Sequence, residues 1–159
     1  MTLKITIDIN AINSLNLVPA QTVIEPLLQD QAIARYEQQL QFEIAYPQTP
    51  EDPRELSEIP EVRLWFVRLD ALYPWLPFLL DSKAGELARY AAMLVPHQFN
   101  RTEGIIYNPE ALEIFVMNKI FVLSNWFKQQ NIPVRRSLLK SMTQILGYEL
   151  DDLFFETIL

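Results

Sequence analysis

A chain of 159 residues, half hydrophobic and 21% charged, is sized for one domain spanning 1–159 that buries most of its apolar surface. Thirteen basic against twenty acidic side chains give a net charge of −7, a field that repels nucleic acid and anionic lipid. The sequence has no cysteine, which excludes disulfides, thiolate catalysis and a self-ligated iron–sulfur cluster.

The opening MTLKITIDIN alternates apolar and polar residues, so residues 3–9 are expected to form a half-buried strand rather than a signal or transit peptide. Val23, Ile24, Leu27 and Leu28 then fall at helical spacing within 19–39. Pro26 interrupts them, giving either one kinked helix or two short ones. Alternation returns in QFEIAY (41–46), a second strand. PQTPEDPRELSEIP (47–60) holds four prolines and four acidic residues and reads as a structured surface loop, with one helical turn at 54–59. In EVRLWFVRLDA (61–71), Val62, Leu64 and Phe66 face one way and Arg63, Trp65 and Val67 the other. A third strand is the better fit, with a helix as the alternative.

Asp81 or Ser82 is placed to cap a helix running to Val95, where Pro96 stops it; Leu87, Tyr90, Ala91 and Leu94 form its apolar stripe. A second helix starts at Asn108 with Pro109 in its first turn. Apolar nearly all round to Phe127, it is expected at the centre of the fold. Glu113, Asn118, Lys119 and Asn125 argue against its being a membrane span. Shorter helices follow at 134–146 and 149–158. Strands early and helices late predict an α+β fold: a small, mainly antiparallel sheet of about three strands, covered by the C-terminal helices.

Three glycines, Gly85, Gly104 and Gly147, provide no phosphate-cradling loop. A lone histidine, His97, cannot build a multi-histidine metal site, and its position just after a helix end favours a structural role. Asp81, Glu86 and Arg89 invite an acid–base reading. Asp81 is accounted for as a cap, however, and Glu86 and Arg89 stand at i, i+3 as a surface pair. Arg135, Arg136 and Lys140 are the solvated side of a helix. No catalytic, cofactor-binding or metal-ligating residue is assigned. YPWLPFL (73–79) admits two readings, core packing at a rigid corner or a preformed aromatic ledge for a partner. Such a ledge gives Phe78 to the core and leaves Trp75 at least partly exposed.

The strings DPRELSEIPEVRLWFVRLDALYPWLPFLLDSKAGELARYAAMLVPHQF, NPEALEIFVMNKIF and LKSMTQILGYELDD resemble the chlororespiratory reduction 6 family of cyanobacteria and chloroplasts, over about Ile5 to Phe155. That resemblance implies an assembly factor, not an enzyme, for the photosynthetic NAD(P)H dehydrogenase-like complex. Its protein partner is the iron–sulfur I subunit, bound transiently while the hydrophilic arm is built. It also implies no cofactor, no integral membrane segment and, for a cyanobacterial member, a cytoplasmic location. Residues 73–99 then become a partner-facing corner, with Tyr73, Trp75, Pro77, Asp81, Glu86 and Arg89 as its contacts. The alternative is a small-molecule-binding domain or an enzyme of unknown substrate, which needs a water-excluding pocket with perturbed titratable groups.

Overall fold

The alternating N-terminal segment forms strand β1 (Leu3–Asp8) in the computed structural model, which describes residues 2–158. Ile5 and Ile7 are buried from it. Asp8 ends the strand: its carboxylate accepts the Ala11 N–H at 2.8 Å and caps a one-turn helix, α1 (Ile9–Asn13). Helix α2 (Val18–Gln29) carries Pro19 in its first turn and Pro26 inside, and a separate 3-10 turn follows at Ile33–Tyr36. The helix thus runs through Pro26 without dividing there, and the break in 19–39 falls after Gln29.

Strand β2 (Leu40–Ala45) pairs with β1 in parallel, from Leu3 opposite Leu40 to Asp8 opposite Ala45. This corrects the expected antiparallel sheet. No hairpin turn links the two strands; the helical stretch between them makes the long crossover that parallel neighbours require. On the outer side of β2, Leu40 donates to the Leu79 carbonyl (2.7 Å) and accepts from the Asp81 N–H (2.9 Å), a single-residue parallel bridge centred on Leu80.

The expected third strand is instead helix α3 (Pro60–Leu72). Trp65 decides it. A strand would set Trp65 opposite Val62 and Phe66, whereas a helix places Val62, Trp65, Phe66 and Leu69 on one buried stripe. The Trp65 indole N–H finds the Asn16 carbonyl at 2.8 Å. Ahead of α3, the expected turn is present as a 3-10 turn at Leu56–Glu58, with a reciprocal capping box between Glu55 and Glu58.

Helix α4 (Glu86–Leu94) begins after Gly85, whose φ of 81° supplies the left-handed turn into it. Strands β3 (His97–Asn100) and β4 (Gly104–Tyr107) form an antiparallel hairpin, a second sheet beyond the one expected. Its tip is local chemistry: the Asn100 side chain accepts the N–H groups of Thr102 (2.8 Å) and Glu103 (3.3 Å), and Gly104 has a φ of 78°. Helix α5 (Pro109–Gln129) is capped by Asn108, which accepts the Ala111 N–H at 3.0 Å. Helices α6 (Arg136–Ile145) and α7 (Asp152–Ile158) follow.

The architecture is α+β, with two two-stranded sheets, one parallel and one antiparallel. The main contacts with β1 and β2 come from α1, α2 and α4, and α3 lies against α1 and α4, so the sheet is not covered chiefly by the C-terminal helices. One continuous buried cluster reaches from Ile5 to Phe155. Helix α5 presents Val116, Ile120, Leu123 and Phe127 to it but leaves Ile114 (71%) and Phe121 (50%) exposed. It is a flank of the fold, not its apolar centre.

Candidate functional site

The aromatic corner is core. Tyr73, Trp75, Pro77 and Phe78 are all buried, Trp75 at 8% exposure. The Trp75 ring stacks on Trp126 of α5, centroids 4.5 Å apart and planes 8° from parallel. Phe78 fills the angle between Trp126 and Phe127, 5.3 Å from each. The Tyr73 hydroxyl donates to Glu25 of α2. Burial first, then that carboxylate, raises its pKa above the ordinary phenol range. No ledge is presented to a partner in this conformation, and the expected exposure of Trp75 does not hold.

Beside the corner lies a buried ion pair. Lys119, 2% exposed, places Nζ 2.5 Å from Asp70 Oδ1 and 3.0 Å from the Pro74 carbonyl. Asp70 also accepts the Tyr90 hydroxyl at 2.7 Å, so one carboxylate ties α3 to α4 and α5. Burial, and secondly Asp70, push the Tyr90 phenol well above its usual pKa. Every charge in the cluster has a partner, which is the condition for keeping it inside.

Glu86 and Arg89 are not the exposed pair their spacing suggests. The Glu86 carboxylate is buried and accepts the Phe42 N–H at 3.3 Å. Arg89 pairs with Glu86 and donates to the Phe42 carbonyl at 3.4 Å. Together they occupy the place of a neighbouring strand on the outer edge of β2. Asp81 caps the 3-10 turn Ser82–Ala84 rather than α4, accepting the Ala84 N–H at 3.2 Å, and its other oxygen accepts the Gln41 amide at 3.1 Å.

Of the candidate partner-binding residues, Arg89 alone lines an open, mainly apolar surface depression. This is an open groove of about 560 Å³ between α4, the β3–β4 hairpin and residues 55–57. Ala88 and Ala92 form its floor, Ile44, Leu56, Met93 and Ile105 its walls. The rim at 55–57 is pinned to the hairpin by His97. His97 Nδ1 lies 2.9 Å from the Val95 carbonyl, which can only accept, so Nδ1 carries the proton; in the neutral ring Nε2 accepts a hydrogen bond from the Ser57 hydroxyl at 3.1 Å. His97 is thus a structural clasp, joined to a serine 40 residues earlier that linear spacing gave no means of finding. The third group behind it is a carbonyl, not a carboxylate, and Ser57 is buried. Among the described residues, no three His, Asp or Glu side chains are grouped to hold a metal ion.

The volume suits a small ligand, but the groove is open and lacks the convergent polar groups that orient one. Fold and site together define a small α+β protein with an accessible apolar groove. The model of the chlororespiratory reduction 6 family matches residues 7–157, and the chain belongs to that family. No solved structure matches it. No helix among the described residues is long and apolar enough to cross a membrane.

Proposed function

We propose that this protein is an assembly factor for the photosynthetic NAD(P)H dehydrogenase-like complex, holding the complex's iron–sulfur I subunit while the hydrophilic arm is built. Membership of the chlororespiratory reduction 6 family over residues 7–157 is the observation that carries this reading. The chain supports it by chemistry. With no cysteine it offers no thiolate for iron, so any cluster in the complex is ligated by the client and this protein contributes binding alone. Its role is that of a chaperone working as one domain in the cytoplasm, not that of an enzyme.

The test is affinity purification from cells at native expression. The I subunit is expected to be retained, and deletion of the gene should abolish accumulation of the assembled complex. Normal accumulation in the deletion strain would overturn the reading. Stoichiometric co-purification with the finished complex would make the protein a subunit instead. The one-domain reading predicts a single denaturation transition, followed by both tyrosine fluorescence and far-ultraviolet circular dichroism.

A further inference from the structure

We infer that the groove takes an extended, apolar client segment flanked by lysine or arginine, added as a strand along the outer edge of β2; the client's nature rests on the assembly reading above. The first observation is the state of that edge. Leu3 donates to the Gln39 carbonyl, which fixes the hydrogen-bonding phase of the parallel pair. Gln41, Glu43 and Ala45 therefore bond to β1, and the backbone groups of Leu40, Phe42 and Ile44 point outward. Leu40 is engaged by Leu79 and Asp81. Phe42 is engaged by Glu86 and Arg89. Ile44 meets no partner among the described residues, and Ile44 is where the groove begins. The edge is sealed at two positions and open at the third.

The second observation is what lies next to the opening. Ala88 and Ala92, one turn apart on α4, keep the floor low enough for another backbone to approach. Met93, Leu56 and Ile105 offer carbon surface to alternate side chains. The third is charge. Residues 51–61 carry Glu51, Asp52, Glu55, Glu58 and Glu61 against a single basic residue, Arg54, which is paired with Asp52 at 2.8 Å; Glu43 is paired with Lys4, and Arg89 at the groove with Glu86. A segment entering past this loop gains from basic flanks and is repelled if its flanks are acidic.

The experiment uses the full chain and two synthetic twelve-residue peptides with the same alternating Val/Thr centre, one with two lysines at each end and one with two glutamates. Hydrogen exchange is read at the Ile44 amide and binding by fluorescence anisotropy. The lysine-flanked peptide is expected to slow exchange at Ile44 and to bind about tenfold tighter than its counterpart in low salt, the difference shrinking as salt rises. Ala88→Trp, which fills the floor from an exposed position, should abolish both effects while leaving the melting temperature unchanged. Absence of protection at Ile44 with either peptide would overturn the inference, as would equal binding by Ala88→Trp. Concentration-dependent self-association removed by Ala88→Trp would also overturn it, by giving the groove to a second copy. Purified I subunit separates the two proposals. Binding that survives Ala88→Trp rejects the groove and keeps the assembly reading. Peptide protection without I-subunit binding rejects that client and keeps the groove.

Discussion

The corner at 73–79 carries two prolines and three aromatic rings and shows almost none of that surface to solvent. The groove beside the hairpin is made from alanine, methionine, isoleucine and leucine, and it stays open. Both are apolar, and the difference lies in shape. A ring offers the largest buried area per residue, so Trp75 and Phe78 bridge the gap between a tight turn and α5. A concave surface requires side chains that stop short, which is what Ala88 and Ala92 do. Residues that look like anchors are here consumed by the fold, and residues that look like filler leave room.

That contrast breaks most visibly by truncation. Trp75→Ala and Phe78→Ala should each lower stability by about 3–5 kcal/mol in denaturant melts. If either variant melts like the wild type, the corner is not core. Lys119→Ala should cost less, about 1–3 kcal/mol, because it removes the cation beside Asp70, which is 24% exposed and keeps its Tyr90 hydrogen bond, and leaves the Pro74 carbonyl without its donor. Lys119→Met should recover little of that loss, since Asp70 stays unpaired. An Asp70→Asn, Lys119→Met double variant should be markedly less damaged than the sum of its parts.

His97→Ala sharpens the other side of the comparison. It removes the clasp on Ser57 and should cost about 1 kcal/mol. The same change should speed hydrogen exchange at residues 55–58 ahead of the corner. Unchanged exchange there would show that the rim stands without the clasp. Ile105→Ser, on the exposed hairpin, should move the melt by less than about 0.5 kcal/mol.

The smallest effect concerns the acidic loop. Hydrogen bonds from Arg54 hold the Asp52 carboxylate at about 2, below the ordinary aspartate value of 3.8. A depressed carboxylate favours the folded state fully above pH 3.8 and loses that contribution as pH falls through 2. A carbon-detected NMR titration should place Asp52 near 2 in the wild type and close to 4 in Arg54→Ala. A normal value in both would mean that the loop is not ordered by this pair.

Much of the fold was legible as periodicity and capping. The β1 and β2 alternation, the Asn108–Pro109 helix start and the stop at Pro96 each follow from local rules. Residues 61–71 satisfied both periods at once, and only tertiary burial of Trp65 beside Val62 and Phe66 chose the helix. Parallel pairing was not legible from the strands themselves; it lay in the helical character of what separates them. The hairpin depends on Asn100 folding back on its own backbone and on Gly104, signals too short to mark a strand pair between two helices. The site was less readable still. Ser57 with His97, Asp70 with Lys119 and Phe42 with Glu86 are each joined across 40 or more residues, and no local pattern announces such partners.

The way β2 is closed off has a consequence for synthesis on the ribosome. The first forty-five residues contain both β1 and β2, but the groups that shield the second strand's flank, Leu79 to Asp81 and then Glu86 and Arg89, are translated some forty residues later. For that interval the nascent chain displays a naked sheet border beside its own acidic loop, whose Glu51, Asp52, Glu55 and Glu58 follow directly after β2. Like charges repel, so an acidic loop beside an unpaired strand edge opposes edge-to-edge association of two such chains until α4 finishes the sheet.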